Sequence, residues 1–156
     1  TGSVSAAAAL ACPEAEVHAV ECDPAALALL GRNRERFRLH NMAVHPGRAL
    51  SVLDALPHPT HVFVGGSGGE LSEFLLRLLC LSRLSCLPRL PGRDGAVRVV
   101  VSAVTLQTLS EAVTALSGPG YRDLEAVQLA VSVSRPLGRS LLMAARNPVT
   151  LLCAWC

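Results

Sequence analysis

The chain is poor in aromatic residues and in net charge. Its 156 residues include one Trp, one Tyr and three Phe, so an aromatic platform for stacking nucleic-acid bases is not indicated. The formal charge of +2 is too small to draw in a polyanion by its long-range field. The local exception is Arg32, Arg34, Arg36 and Arg38, at the end of a predicted helix where cations suit the dipole. A solvated helix end is expected there, and no nucleic-acid partner. No apolar run is long enough to span a membrane: Leu71 to Leu87 comes closest, and Glu73, Arg77 and Arg83 interrupt it. Ala6 to Ala11 lacks the basic start of a signal peptide, so a cytoplasmic protein without a membrane partner is expected. Cys12, Cys22, Cys80, Cys86, Cys153 and Cys156 do not form the paired C-x-x-C sets of a zinc ribbon. They are expected as small buried hydrophobes, with Cys153-Ala-Trp-Cys156 in a frayed C-terminus. His40, His45, His58 and His61 share no spacing that builds a metal site, and His18 is expected as a satisfied core histidine. No nucleophile elbow or Ser-His-Asp order is present, so covalent catalysis is not indicated and no catalytic residue is assigned.

What the chain does contain is an alternation of strand-like and helix-like segments, long enough for one domain over 1–156 with a proper core. Ser3 to Cys12 predicts a helix stopped by Pro13, and Glu16 to Glu21 a buried strand. Asp23-Pro24 supplies an N-cap and a proline at the first helical position, opening a helix through Arg36. Met42 to His45 predicts a short strand, Leu50 to Leu56 a weak helical turn, and His61 to Val64 another strand. Glu70 to about Leu84 has the amphipathic period of a helix. Ser85 to Gly95, rich in Pro and Gly, predicts a loop. Ala96 to Ala103 is the clearest buried strand, and Thr105 to Leu116 a helix with Thr105 as cap. Leu124 to Ser134 and Ser140 to Cys153 predict two long strands, the second interrupted near Asn147-Pro148. Crossovers of this length imply a parallel, doubly wound α/β sheet. Two consecutive final strands fit a closing antiparallel pair, the ending that separates the nucleoside-dependent methyltransferase variant of this fold from the dehydrogenase one.

Three motifs sit where such a sheet would bind ligands. Thr1, Gly2 and Ser3 read as the tail of a glycine-rich nucleotide loop, so the fold is expected with its first strand missing. Glu21 follows at the end of the next strand, where a carboxylate accepts hydrogen bonds from ribose hydroxyls. Gly65, Gly66, Ser67, Gly68 and Gly69 follow a central strand and open a helix, where the backbone approaches a ligand and the helix end attracts negative charge. A carboxylate-rich substrate suits that site. No Lys-Ser or Lys-Thr pair follows, so it is not a Walker loop. Ser102 and Thr105 offer hydroxyls at the same crevice, although Thr105 is equally explained as a helix cap.

On these residues the chain resembles the CbiT-type precorrin methyltransferases of cobalamin biosynthesis, found alone or as the C-terminal half of fused CobL-like enzymes. The matching stretches are Thr1-Gly-Ser-Val-Ser5, Val17-His-Ala-Val-Glu-Cys-Asp-Pro24, Val62-Phe-Val-Gly-Gly-Ser-Gly-Gly69, Ala103-Val-Thr-Leu106, Val133-Ser-Arg-Pro-Leu-Gly138 and Asn147-Pro-Val-Thr150. The resemblance implies a class I, Rossmann-like methyltransferase that uses S-adenosyl-L-methionine. It implies a precorrin tetrapyrrole as acceptor, methylated at C15 with decarboxylation of the C12 acetate, and a homo-oligomer, typically a tetramer. By position it assigns the donor to Thr1, Gly2, Ser3, Glu21, Cys22, Gly47, Arg48 and Ala49. It borders the acceptor with Gly65, Gly66, Ser67, Gly68, Gly69, Ser102, Thr105 and Leu106. Ser102 stands where the family usually has Asn, and Gln107 where an acid is common. Another small-molecule methyltransferase on the same fold and a non-catalytic assembly domain are the alternatives.

Overall fold

The computed structural model describes residues 2–84 and 96–156; Thr1 and the expected loop over 85–95 lie outside them. The chain divides into two compact units, Thr1–Pro57 and His58–Cys156. In the first, helix α1 (Ser3–Ala11) precedes strand β1 (Val17–Glu21), helix α2 (Pro24–Arg36) and strand β2 (Met42–Pro46). A short helix α3 (Ala49–Val52) and a 3-10 turn over Leu53–Ala55 follow. β1 and β2 pair in parallel, with Val17 opposite Met42 and Glu21 opposite Pro46. The core is small: Ala6 and Ala9 of α1, Leu30 of α2, and Ala19, Leu39 and Met42. Alanine is what lets α1 come close, because a larger side chain at Ala6 or Ala9 would push the helix off the sheet. The predicted start of α2 is observed, with Asp23 Oδ1 accepting from the Ala26 N–H at 2.7 Å and Pro24 at the first helical position.

The second unit holds β3 (His61–Val64), α4 (Leu71–Leu84), β4 (Arg98–Ala103), α5 (Leu106–Leu116), β5 (Arg122–Leu129), β6 (Ser132–Leu137), β7 (Ser140–Ala145) and β8 (Val149–Trp155). Its main sheet has the order β3-β4-β8-β5. β3 and β4 are parallel, while β8 runs antiparallel to both of its neighbours, β4 and β5. Burial alternates along β4, with Val99, Val101 and Ala103 buried. They pack with Leu71, Leu75 and Leu78 of α4, Ala112 and Leu116 of α5, and Leu152 and Ala154 of β8. Tyr121 is packed against this core, and its hydroxyl donates to the Leu75 carbonyl at 2.8 Å. Burial, first, and the neighbouring Cys156 push its phenol well above the usual tyrosine range.

Several sequence expectations need correction. Of the two long final strands, the second is interrupted near Asn147-Pro148 as expected, but the first is broken too. Leu124 to Ser134 divides at Ala130-Val131 into β5 and β6, and Ser140 to Cys153 divides at Arg146–Pro148 into β7 and β8. Their inner halves, β6 and β7, leave the main sheet as a separate antiparallel hairpin. Its two-residue turn is Gly138-Arg139, with Gly138 at φ 58°, a backbone region that glycine enters at no steric cost. The C-terminal stretch is not frayed: β8 is an interior strand, and Val97 and Cys156 exchange two backbone hydrogen bonds of 2.8 and 3.0 Å. Nor are the cysteines uniformly buried. Cys12, Cys22 and Cys80 are exposed, and Cys153 and Cys156 are half-buried. His18 is also only half-satisfied. Its Nδ1 shares a 2.9 Å hydrogen bond with His45 Nε2, whereas its Nε2 lies 3.2 Å from Glu16 without hydrogen-bond geometry.

Candidate active site

The carboxyl ends of the adjacent parallel strands β3 and β4 open onto a crevice of about 120 Å³. This is where open α/β sheets place their ligands. Gly65, Gly66 and Ser67 form one wall, and Ser102 and Thr105 the other. The floor is apolar, from Leu71 and Val101, which are 0% and 1% exposed. Thr108 adds a fourth hydroxyl residue from α5, a contributor that sequence reading missed although it lies one turn beyond Thr105. Thr105 does both things considered for it. Its Oγ1 accepts from the Thr108 N–H at 3.2 Å and donates to Thr108 Oγ1 at 2.9 Å, so it caps α5 while lining the crevice. Gly68, Gly69 and Leu106 do not line the crevice; Leu106 is 79% exposed. Gly68 and Gly69 instead turn the chain into α4 with φ of 57° and 86°.

A second missed residue is Glu111. Its Oε1 accepts from both the Ser72 N–H at 2.9 Å and the Ser72 hydroxyl at 2.8 Å. The anion-receptive first turn of α4 thus already holds a carboxylate from α5. The two residues stand 39 positions apart, so no local pattern could have revealed the contact.

The expected donor residues that are described lie in the first unit: Glu21 and Cys22 at the carboxyl end of β1, Gly47, Arg48 and Ala49 after β2, and Gly2 and Ser3 at the start of α1. Gly2 opens α1 with φ 66°, and a Cβ there would run into the Leu30 side chain. Only glycine fits both constraints. Ser3 is the first residue of α1. Glu21 ends β1 with its carboxylate turned over the following bend, where Oε1 accepts from the Cys22 N–H at 2.9 Å and the Asp23 N–H at 3.0 Å. Its carbonyl accepts from the Gly47 N–H at 2.9 Å, tying the ends of β1 and β2 together. Gly47 turns with φ 141°, Arg48 caps α3 in an extended conformation, and Ala49 begins that helix. Among the described residues no cluster of three or more His, Cys, Asp or Glu is placed to hold a metal ion. No helix among them is long and apolar enough to cross a membrane.

A last strand inserted antiparallel beside a parallel pair, with a crevice at the carboxyl ends of that pair, defines a Rossmann-like methyltransferase of class I. A SAM-dependent O-methyltransferase of Thermotoga maritima shares the fold, with a TM-score of 0.62 over 90% of this chain and 49% of that one; at 12% identity the likeness is of fold alone. The family model for the precorrin methyltransferase domain matches residues 1–155, and the chain belongs to that family. It is 35% identical over 152 residues to the cobalt-precorrin-6B C(15)-methyltransferase (decarboxylating) of Salmonella typhimurium, covering 97% of this chain and 72% of that protein. The precorrin-6Y C5,15-methyltransferase structure from Geobacter metallireducens matches with a TM-score of 0.83 and 31% identity, over 99% of this chain and 75% of that one. The chain is therefore an enzyme of the methyltransferase class.

Proposed function

We propose that residues 1–156 act as one methyltransferase domain that transfers a methyl group from S-adenosyl-L-methionine to C15 of a precorrin tetrapyrrole, with loss of carbon dioxide from the C12 acetate. The observation that carries this reading is the family match across residues 1–155. The residues present fit the donor. A glycine that tolerates no Cβ opens α1, and a carboxylate oriented by two backbone N–H groups closes β1. Thr1, Gly2 and Ser3 would face the amino-acid end of the donor, and Glu21 with Cys22 its ribose. Gly47, Arg48 and Ala49 would border its adenine. When bound, the donor supplies a methyl group already activated by the sulfonium, so the chain needs no strong base. Its work is to hold donor and acceptor in line.

On the acceptor side, the crevice is smaller than the roughly 300–1,000 Å³ of a drug-sized ligand pocket. It suits one substituent of a macrocycle rather than the whole ring. Ser67, Ser102, Thr105 and Thr108 offer hydroxyls to that arm, and Leu71 and Val101 keep water from its floor. Gly68, Gly69 and Leu106 would border the ring outside the crevice. The electron pair of the breaking C–CO₂ bond passes into the conjugated macrocycle, so decarboxylation needs orientation more than acid-base chemistry. Incubation with donor and a precorrin is expected to yield a product with one methyl gained and one carbon dioxide lost. Methylation of other small molecules but of no precorrin would overturn the assignment.

The same reading includes a homo-oligomer, a tetramer by family resemblance. The β6–β7 hairpin supports it, since Leu137, Leu141, Leu142 and Met143 are 62%, 71%, 51% and 64% exposed. A two-stranded hairpin with apolar side chains on both faces is marginal in water by itself. Sedimentation of the double variant Leu141→Glu, Met143→Glu is expected to show a smaller species than the parent chain; an unchanged mass would remove the hairpin from the interface.

A further inference from the structure

The first unit carries a second depression, remote in role from the donor residues. It has a volume of about 430 Å³ and is lined by Gly31, Arg34, Glu35, Arg38, Leu39, His40 and Val44. These residues belong to the last turns of α2, the bend after it and strand β2. Unlike Glu21 and Gly47, none of them stands at a strand's carboxyl end.

Two local features at this depression lack an explanation in the chain's own packing. Gly31 sits inside α2, where glycine is a poor helix former relative to alanine. Nothing lies within 4 Å of where its Cβ would be, so no neighbour demands the missing side chain. Arg38 takes a left-handed backbone, φ 52°, at the position after the helix end that glycine usually fills. The bonding there is complete, with the Leu39 N–H donating to the Arg34 carbonyl at 3.0 Å and the Arg38 N–H to the Glu35 carbonyl at 3.1 Å. A turn that glycine would make without strain has kept an arginine on the wall of the depression.

The neighbouring cations are engaged. Arg32 Nε donates to the Ala28 carbonyl at 3.4 Å, and the Arg36 guanidinium lies 5.7 Å from the centre of the Phe37 ring. Among the described residues, the side chains of Arg34, Arg38 and His40 make no hydrogen bond, ion pair or ring contact. Two unengaged guanidinium groups and an imidazole therefore surround a hollow with Leu39 and Val44 beneath it. A guanidinium presents a planar fork of donors that matches phosphate or carboxylate, and the hollow lies within the size range of small-molecule pockets.

We propose that this depression is a second ligand site, for a small anion carrying phosphate or carboxylate groups, gripped by Arg34 and Arg38 over the space that Gly31 leaves open. The site is independent of the methyl-transfer reading, because none of the residues assigned to donor or acceptor lines it.

Inorganic pyrophosphate and citrate are the probes. Each is titrated into the whole chain at low ionic strength, where exposed charges are least screened, with arginine side-chain NMR resonances as readout. Saturable shifts at Arg34 and Arg38 are expected, about tenfold weaker in Arg34→Gln. The sharper variant is Gly31→Leu, which changes no charge but fills the hollow. It should also weaken binding about tenfold while leaving the circular dichroism and adenosylhomocysteine binding unchanged. Stronger pyrophosphate than citrate binding would identify a phosphate ligand, and the reverse a polycarboxylate; either supports the site. Absence of saturation by both anions, binding untouched by Gly31→Leu, or equal losses in Arg32→Gln and Arg34→Gln would overturn it, the last by leaving only diffuse attraction to a basic helix end.

Discussion

The glycine turn and acid in the first unit differ from the glycine turn in the second in what fixes them. In the first, the constraints are conformational and steric, with hydrogen bonds beside them. Gly2 has a positive φ and no room for a Cβ, and Glu21 is held by backbone N–H groups next to it in sequence. In the second, Gly66 has open space around its missing side chain, and the first turn of the helix that follows is capped by a side chain from α5, Glu111. The expected donor side is thus fixed by a left-handed glycine against Leu30 and by the bend that holds Glu21. The expected acceptor side combines the left-handed turn at Gly68 and Gly69 with open space at Gly66. That division suits an enzyme whose donor is a fixed small molecule and whose acceptor is a bulky ring with many arms.

Substitutions can break this contrast, and the largest effect belongs to Gly2. Gly2→Ala is expected to destabilise the first unit by about 3 kcal/mol, combining a left-handed penalty with overpacking against Leu30. Amide exchange in α1 and β1 would report it; a loss well under ~1 kcal/mol would show that the turn is not steric in origin. Glu111→Ala comes next. It removes a cap from α4, expected to destabilise by about 1 kcal/mol, with a rise in acceptor KM and adenosylhomocysteine affinity unchanged. A matching loss of donor affinity would mean that the two sides are not separable. Gly66→Ala should be the mildest, within about 0.5 kcal/mol in stability, because the new methyl meets nothing. Its effect should appear only in acceptor KM, and a large fall in melting temperature would contradict the open geometry.

How far the sequence carried these conclusions depended on the range of the interaction. Asp23-Pro24 and Thr105 announced helix starts because capping involves residues two or three apart. The valine run of β4 announced a buried strand through its own composition. The crevice was legible in Gly65, Gly66, Ser67, Ser102 and Thr105, since strand carboxyl ends can be located once the strands are. What was hidden was long-range. Nothing local says that β8 slips between β4 and β5, or that Glu111 reaches Ser72. The division of β5 from β6 at Ala130-Val131 was hidden for a different reason: the apolar alternation runs straight through the break, while the hairpin's apolar residues stay exposed. Periodicity records which positions are apolar, not what covers them.

The central proposal is that Gly2, at the start of α1, and Glu21, at the end of β1, bind the methyl donor. Calorimetric titration of adenosylhomocysteine into this chain and into Glu21→Ala tests it most directly. The account predicts one saturable site, weakened by about 10- to 100-fold when charge-assisted hydrogen bonds to the carboxylate are lost. Equal affinity in the two proteins, with both shown to be folded, would contradict it.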